Sequence, residues 1–237
     1  MPLQQLFLIR HGQSEANVNT LQAFKNNPDY NIPLTQLGHN QAKKVGDFLF
    51  KTHSKLAFNR GTTAVWNSSF KRARQTKDGL LQGFKESSID KYGHEVPLNE
   101  HMFESNLIVE QQFGLFPYYS KEDIQKHFPK EKNTIRQHVE TAEGKFWANF
   151  PCGESMAQVE VRVALFMRDL KEDALNLGYD TAMVVAHGTT LRVLAAYLLR
   201  QSFETLNDKK DNPENCSIRH LIFNRTWQDK GYIYTPS

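Results

Sequence analysis

Short runs of mostly apolar residues recur along the chain, and each ends abruptly at polar residues or glycine. Residues 6–9, 63–66 and 181–186 form three such runs. A run of this length and composition is typical of a strand that is buried on both faces of a parallel sheet. Residues 217–223 and 231–234 predict two late strands, one of them at a sheet edge.

Between these runs, apolar residues recur every three or four positions, as expected of amphipathic helices. Thr35 is expected to cap one helix, and a basic helix is expected from about Lys71. Residues 151–155 precede a long helix, and residues 190–199 form another. The stripe of the long helix consists of Val159, Val163, Phe166, Met167 and Leu170. Strands separated by helices predict an α/β fold, a three-layer sandwich with a mostly parallel central sheet.

The middle of the chain gives a weaker pattern. Residues 96–98 and 107–109 are alternative positions for a further strand. Residues 113–150 show no alternation of strands and helices and are rich in Phe, Tyr, His and Lys. We therefore expect one domain over residues 1–237, with a helical cap inserted at about 113–150.

Composition narrows the function classes. The chain of 237 residues suits one α/β domain with an insertion, and its net charge of +3, scattered along the sequence, is too small to indicate nucleic-acid binding. Cys152 and Cys216 are far apart, which argues against a disulfide framework or a zinc site. The first residues lack the pattern of a signal peptide or membrane span, so we expect an intracellular, cytoplasmic protein.

Two of the predicted strands are followed by the same residue pair, a histidine and a glycine. The first runs into Arg10, His11 and Gly12, and the third runs into His187 and Gly188. Sites in parallel α/β sheets form beyond the carboxyl ends of the strands, so the two histidines are expected to face each other. Each glycine is expected to expose its backbone N–H to an anion.

Further polar residues complete a predicted phosphate pocket. Asn17 lies six residues beyond His11, and Arg72 follows the predicted strand at 63–66. Arginine binds phosphate oxygens through its planar fork and keeps its charge. A neutral imidazole is a competent nucleophile toward phosphorus, and a leaving alkoxide requires a nearby carboxylic acid.

Five segments, in this order, resemble the motifs of the histidine phosphatase superfamily, which includes cofactor-dependent phosphoglycerate mutases and many acid phosphatases. They are RHGQSEAN at 10–17, LTQLGHNQA at 34–42, SSFKRARQT at 68–76, PCGES at 151–155 and AHGTTLR at 186–192. The resemblance covers most of the chain and is thinnest over residues 113–150.

The resemblance implies a role for each matching residue. It identifies His11 as the residue that is phosphorylated in the intermediate. It implies that the phosphoryl oxygens are bound by Arg10, Asn17, Arg72, His187 and Gly188.

The general acid has two candidates. Glu110 begins the segment EQQFG, which resembles the family pattern E-x-x-[FYW]-G. Glu100 lies in LNEHMF, which resembles a mutase pattern but has Glu104 in place of the expected glycine. We favour Glu110 and keep Glu100 as the alternative.

The resemblance implies a phosphomonoester hydrolase that acts on a small phosphorylated metabolite, without a metal ion or other cofactor. The expected partner is that small molecule, not a nucleic acid or a membrane, and a homodimer is compatible with the sequence. Two alternatives remain: a cofactor-dependent phosphoglycerate mutase, and a catalytically silent phosphate-binding scaffold of the same fold.

The mutase alternative requires extra cations for a second phosphate. The mutase pattern supplies them in a G-L-N-K segment and an arginine pair, whereas Gly114 is here followed by Leu-Phe-Pro. Lys121, Arg136 and Lys145 are possible substitutes in the predicted cap. The sequence therefore favours hydrolysis over mutase activity.

Overall fold

The computed structural model describes residues 3–56, 63–96, 101–131, 142–207 and 212–236. Within these ranges the strands form one six-stranded sheet, in the order β3-β2-β4-β1-β5-β6. The strands are β1 Gln5–Arg10, β2 Thr63–Ser68, β3 His101–Ser105, β4 Thr181–Ala186, β5 Ile218–Asn224 and β6 Thr226–Tyr234. The first four strands run parallel to each other, and the pairings of β5 with β1 and with β6 are antiparallel.

Helices lie on both faces of this sheet. The α-helices are α1 Glu15–Val18, α2 Thr20–Asn26, α3 Gln36–Leu56, α4 Lys71–Tyr92, α5 Lys121–His127, α6 Ala142–Trp147, α7 Met156–Leu177 and α8 Gly188–Leu199. Short 3-10 helices cover Asp29–Asn31, Asn106–Ile108, Phe116–Tyr118 and Phe203–Asn207.

The central strands separate two apolar cores, because alternate side chains of a strand point to opposite faces. Leu6 and Leu8 of β1 belong to the core that is built with α7 and α8. Phe7 and Ile9 belong to the core that is built with α3 and α4. The predicted class, a three-layer α/β sandwich with a mostly parallel sheet, is confirmed.

Several predicted element boundaries match the structure. The Thr35 hydroxyl accepts a hydrogen bond from the N–H of Gly38 at 3.1 Å, as an N-cap of α3 should. The basic helix α4 begins at Lys71. By contrast, α8 begins at Gly188 rather than at Thr190, so its first turn directly follows His187.

The further strand lies between its two predicted positions, and the later of these, residues 107–109, was wrong. The strand β3 covers His101–Ser105, whereas Asn106–Ile108 forms a 3-10 helix. Of the other candidate segment, residues 97 and 98 lie outside the described ranges. β3 is an edge strand whose side chains alternate between partly buried and exposed, so it lacks the continuous apolar run that marked the central strands.

The predicted cap is the span 113–150. The described part of this span contains the 3-10 helix Phe116–Tyr118 and the helices α5 and α6. The ring of Phe150 contacts those of Phe113 and Phe116, at centroid distances of 5.2 and 5.9 Å. These contacts join the two ends of the span. The cap itself stays a prediction.

The predicted edge strand is confirmed as β6, which starts at Thr226, five residues earlier than expected. Among the described helices, none is both long enough and apolar enough to cross a membrane.

Candidate active site

His11 directly follows β1, and its side chain is buried, with 3% of its surface exposed. Its backbone N–H donates to the carbonyl of Ala186 at 2.9 Å, which fixes the residue against the end of β4. Its ring Nδ1 lies 2.7 Å from the Gly12 carbonyl oxygen. Because a carbonyl oxygen only accepts, Nδ1 carries the hydrogen in the neutral ring and Nε2 keeps its lone pair.

The surroundings of His11 keep its ring neutral. Burial lowers the pKa of His11 well below its ordinary value, and the nearby charges of Arg72 and Arg10 lower it further. A neutral ring with a free Nε2 lone pair is the form in which histidine attacks phosphorus.

His187 follows β4, and its ring centroid lies 5.1 Å from that of His11. Its Nε2 lies 2.8 Å from the hydroxyl oxygen of Ser68, the last residue of β2. Its Nδ1 is buried and has no hydrogen-bond partner among the described residues. Burial, followed by the charge of Arg72, lowers the pKa of His187 well below its ordinary value.

Arg10 precedes His11 and lies beside the start of α8. Its Nη1 donates to the carbonyl of Pro213 at 2.6 Å, whereas its Nε is buried without a partner among the described residues. A side chain at Gly188 would lie 3.7 Å from that Nε atom. Burial lowers the pKa of Arg10 and Glu110 opposes this shift, but an arginine stays charged near neutral pH.

Arg72 lies in the first turn of α4 and is buried. Its Nη1 donates to the carbonyl oxygen of Asp29 at 2.7 Å and to the carboxylate Oδ1 of the same residue at 2.8 Å. Its guanidinium lies 4.9 Å from the ring centre of Phe70, and that ring contacts His187 edge-on. The arginine is therefore held near both histidines.

Asn17 lies in α1, and its side chain bonds back to Ser14, the residue that precedes this helix. Its Oδ1 accepts from the backbone N–H of Ser14 at 3.0 Å and from the amide of Asn215 at 3.1 Å. Among the described hydrogen bonds, none uses the Nδ2 donors of Asn17, which leaves them for an anion. Asn215 also donates to the His11 carbonyl at 3.0 Å, so it joins α1 to the loop that carries His11.

Glu110 lies at the first turn of α8. Its carboxylate oxygens lie 3.3 Å from the backbone nitrogen of Thr190 and 3.5 Å from that of Thr189. A helix N-terminus favours a negative group at this position. Glu100, the alternative acid, lies outside the described residues, and Glu110 is placed beside the helix that follows His187.

Glu154 of the PCGES motif holds the segment that carries Glu110. Its carboxylate forms an ion pair with Arg162, at 2.5 Å between Oε1 and Nη2, and the same oxygen accepts from the N–H of Gln112 at 3.0 Å. Arg162 in turn donates to the carbonyl of Leu107 at 2.8 Å. The pair thus anchors the chain on both sides of Glu110.

Two glycines allow this arrangement. Gly114 has a φ of 63°, and a side chain there would overlap the carbonyl oxygen of Pro151. A side chain at Gly153 would likewise overlap the carbonyl oxygen of Gln112. The EQQFG and PCGES motifs therefore need glycine at these positions, because their two backbone segments lie too close together for a side chain.

One predicted anion donor was wrong. The backbone N–H of Gly12 donates to the hydroxyl of Thr76 at 3.0 Å and is not available to an anion. The same hydroxyl donates to the Arg72 carbonyl at 2.7 Å. Thr76 therefore links Gly12, the residue after His11, to α4. Gly188, the first residue of α8, keeps an N–H that no intrahelical carbonyl can accept.

The structure thus brings together every favoured residue of the predicted site. Sequence reasoning missed several described residues that contact them, among them Asp29, Ser68, Thr76 and Asn215. Ser68 and Thr76 lie in a motif that the sequence marked, but Asp29 and Asn215 follow no pattern in the chain. Within the described ranges, no group of three or more His, Cys, Asp or Glu residues is placed to hold a metal ion.

The fold and the paired histidines at the ends of β1 and β4 define an α/β protein with a candidate site at the carboxyl edge of its sheet. The chain matches the family described as the histidine phosphatase superfamily (branch 1) over residues 6–229 and belongs to that family.

Related proteins have been assigned both mutase and mutase-like descriptions. The chain is 29% identical to phosphoglycerate mutase-like protein AT74 of Arabidopsis thaliana over 91% of its own length, but spans only 64% of that protein. It is 29% identical to a 2,3-bisphosphoglycerate-dependent phosphoglycerate mutase of Mesorhizobium japonicum, over 85% of this chain and 84% of that protein.

Solved structures with the same fold include phosphatases. An alpha-ribazole phosphatase from Shigella flexneri matches with a TM-score of 0.69 at 20% identity, over 98% of this chain and 100% of that chain. A mycobacterial glucosyl-3-phosphoglycerate phosphatase, solved in complex with VO3, matches with a TM-score of 0.65 at 20% identity, over 99% and 100% of the chains.

Proposed function

We propose that the protein hydrolyses a phosphomonoester of a small metabolite through a phosphohistidine on His11. This proposal rests on the set of groups around His11. A buried neutral imidazole with a free Nε2 faces a second buried imidazole at 5.1 Å. Next to them, two buried nitrogen atoms, Nε of Arg10 and Nδ1 of His187, have no partner among the described residues. Such atoms cost free energy unless a ligand satisfies them, and a phosphoryl group would do so.

The proposed reaction has two steps. In the first, Nε2 of His11 attacks phosphorus, the bond from phosphorus to the ester oxygen breaks, and the alcohol leaves. In the second, water attacks the phosphohistidine and releases inorganic phosphate. Arg10 and Arg72 stabilise the negative charge that spreads over the equatorial oxygens in each transition state.

Glu110 is proposed to move the protons. In its acid form it donates a proton to the departing alkoxide, and the resulting carboxylate then takes a proton from the attacking water. Its position at the first turn of α8 places it beside His187 and within electrostatic range of Arg10. The arginines supply the positive charge that a metal ion supplies in other phosphoryl-transfer enzymes, so the proposed reaction is metal-independent.

Hydrolysis is favoured over mutase activity by the residues that follow the acid. Gly114 is followed by Leu, Phe and Pro, none of which offers a cation for a second phosphate. Of the proposed substitutes, Arg136 lies outside the described residues, and the side chains of Lys121 and Lys145 are not described. The phosphatases that share the fold support the same choice.

The nucleophile is tested by trapping the intermediate. An alkaline quench with detergent after mixing with labelled p-nitrophenyl phosphate should leave a base-stable, acid-labile label on His11. His11→Ala should lose the label and nearly all turnover, whereas His94→Ala, which changes an exposed histidine, should keep both. The proposal fails if His11→Ala keeps a tenth of the wild-type rate.

A second assay separates hydrolysis from mutase activity. With 3-phosphoglycerate and catalytic 2,3-bisphosphoglycerate, the protein should form little 2-phosphoglycerate, and a panel of phosphomonoesters should identify its best substrate. Rapid isomerisation would identify a mutase. No phosphoryl transfer in any assay would favour the silent scaffold. A cytoplasmic location and a small-molecule partner belong to the same proposal.

A further inference from the structure

Asp29 occupies one edge of the Arg72 guanidinium. Nη1 carries two hydrogens, and the two Asp29 oxygens at 2.7 and 2.8 Å accept both. The arginine side chain is only 5% exposed and the aspartate side chain 16% exposed, so water screens the pair weakly. A phosphoryl group that binds Arg72 is therefore limited to the edge formed by Nε and Nη2.

A carboxylate at this position also changes the charge of the pocket. Arg10 and Arg72 bring two positive charges, and Asp29 and Glu110 bring two negative charges when ionised. The two histidines are neutral because burial and the arginines lower their pKa. The formal charge of these groups is therefore zero when Glu110 is ionised and +1 in the acid form that the proposed first step uses, although the pocket is proposed to bind a phosphate dianion.

We infer that Asp29 sets how tightly this pocket holds phosphate, in addition to orienting Arg72. This inference rests on the proposed function of the site. The carboxylate presents the Nε–Nη2 edge of Arg72 to the phosphoryl group and at the same time repels that group. The repulsion acts on substrate and on inorganic phosphate alike, so it weakens ground-state binding and speeds release of the product.

A purely structural role for Asp29 is the alternative. The segment from α2 to α3 has a second anchor on α4, because the Leu34 N–H donates to Oε1 of Gln75 at 2.8 Å. Asp29→Asn also keeps the backbone carbonyl and an acceptor oxygen toward Nη1. The segment should therefore stay in place when only the charge is removed, which makes this substitution a test of the charge.

The first measurement is the affinity for inorganic phosphate, obtained by calorimetric titration at low ionic strength. An anion on the far edge of the guanidinium lies roughly 7 Å from the carboxylate oxygen. One unit charge that acts on a phosphate dianion at that distance, at an effective dielectric constant of about 40, changes a Kd by roughly fiftyfold. Asp29→Asn should lower the Kd for phosphate by about that factor. The KM for p-nitrophenyl phosphate should fall in parallel, without a rise in kcat.

Asp78→Asn is the matched control, because it removes the same charge from an exposed position on α4. Its phosphate Kd should stay within twofold of wild type. If Asp29→Asn does not fold, Asp29→Ser removes the charge with a different side chain and takes its place. An unchanged or higher Kd in the folded variant would overturn the inference.

The inference and the proposed function fail in different ways. Wild-type protein that binds phosphate but hydrolyses no phosphomonoester would contradict the proposed function, and the titration of Asp29→Asn would still test the inference. Wild-type protein that hydrolyses substrate while Asp29→Asn binds phosphate no more tightly would contradict the inference alone.

Discussion

The hydroxyl oxygen of Ser68 lies 2.8 Å from Nε2 of His187, so the hydroxyl is a hydrogen-bond partner of that ring nitrogen. The backbone N–H of Phe70 donates to the same hydroxyl oxygen at 3.3 Å, so the hydroxyl hydrogen is free to donate to Nε2. When the hydroxyl donates, Nε2 is the acceptor and the hydrogen of the neutral ring lies on Nδ1; this is the form we expect. Ser68 is therefore a positioning residue that acts through His187.

Ser68→Ala should lower kcat/KM by about tenfold, the size expected when one buried hydrogen bond is lost. Nitrogen NMR of the labelled protein should show hydrogen on Nδ1 of His187 in the wild type and a mixture of the two neutral forms in the variant. Ser68→Cys, which keeps a weak donor, should recover part of the activity.

Ser88→Ala is the control for this substitution, because Ser88 is also buried but its hydrogen bonds among the described residues lie within α4 and to the Val96 N–H. It should leave the His187 nitrogen signals unchanged. A Ser68→Ala protein with wild-type signals and wild-type rate would show that Ser68 does not orient the ring.

The sequence predicted those parts of the site that lie on continuous apolar strands. His11 and His187 follow β1 and β4, which are buried on both faces and therefore have an unbroken apolar sequence. The position of Glu110 was not predictable in this way, because this residue follows an edge strand and a 3-10 helix. Asp29 and Asn215 contact the site from loops, and a loop contact depends on tertiary packing that leaves no periodic pattern.

The stability of the protein should fall between pH 6.5 and pH 5. Burial and the arginines hold the folded-state pKa of His11 and His187 below the ordinary value of 6.5. Above that pH both rings are neutral in both states, so neither contributes to the pH dependence. Below it the unfolded chain binds protons that the folded protein does not, which favours unfolding by up to about 1.4 kcal/mol per pH unit for each histidine.

Urea denaturation in phosphate-free buffer over this pH range would measure the slope. His11→Asn should reduce the loss of unfolding free energy on acidification, whatever its effect at pH 7.5. An equal slope in wild type and variant would mean that His11 is protonated as readily in the folded protein as in the unfolded chain.

Chelation should leave the activity unchanged, since Arg10 and Arg72 are proposed to stabilise the transition state. Turnover of p-nitrophenyl phosphate after dialysis against EDTA should stay within twofold of the untreated enzyme. Complete loss, with recovery on adding one divalent cation, would contradict the metal-independent reaction.

Glu110→Gln should slow alkyl phosphates by roughly 10²–10⁴-fold, the usual contribution of a general acid. Phosphorylation of the enzyme by p-nitrophenyl phosphate should change much less, because that phenolate leaves without a proton. Single-turnover measurements are required, since loss of the base also slows hydrolysis of the phosphohistidine. If Glu100→Gln shows this dependence on the leaving group and Glu110→Gln does not, the acid is the earlier glutamate.

The Glu154–Arg162 pair should affect catalysis only through Glu110. The side chains of both residues are about 15% exposed. They bond to the backbone at Leu107 and Gln112, which lie before and after Glu110 in the chain. Glu154→Gln keeps an acceptor oxygen but loses the charge, so the segment should loosen without leaving its place. We expect alkyl phosphate turnover to fall by about tenfold, with a smaller effect on enzyme phosphorylation by p-nitrophenyl phosphate.

A double-mutant cycle decides whether this effect passes through the acid. In a Glu110→Gln background the acid is already absent, so adding Glu154→Gln should slow alkyl phosphates by less than twofold further. The control is Glu160→Gln, which changes a glutamate of the same helix as Arg162 that has no described contact with the segment. Additive losses in the double variant would show that Glu154 stabilises the site as a whole, and that the ion pair does not position Glu110.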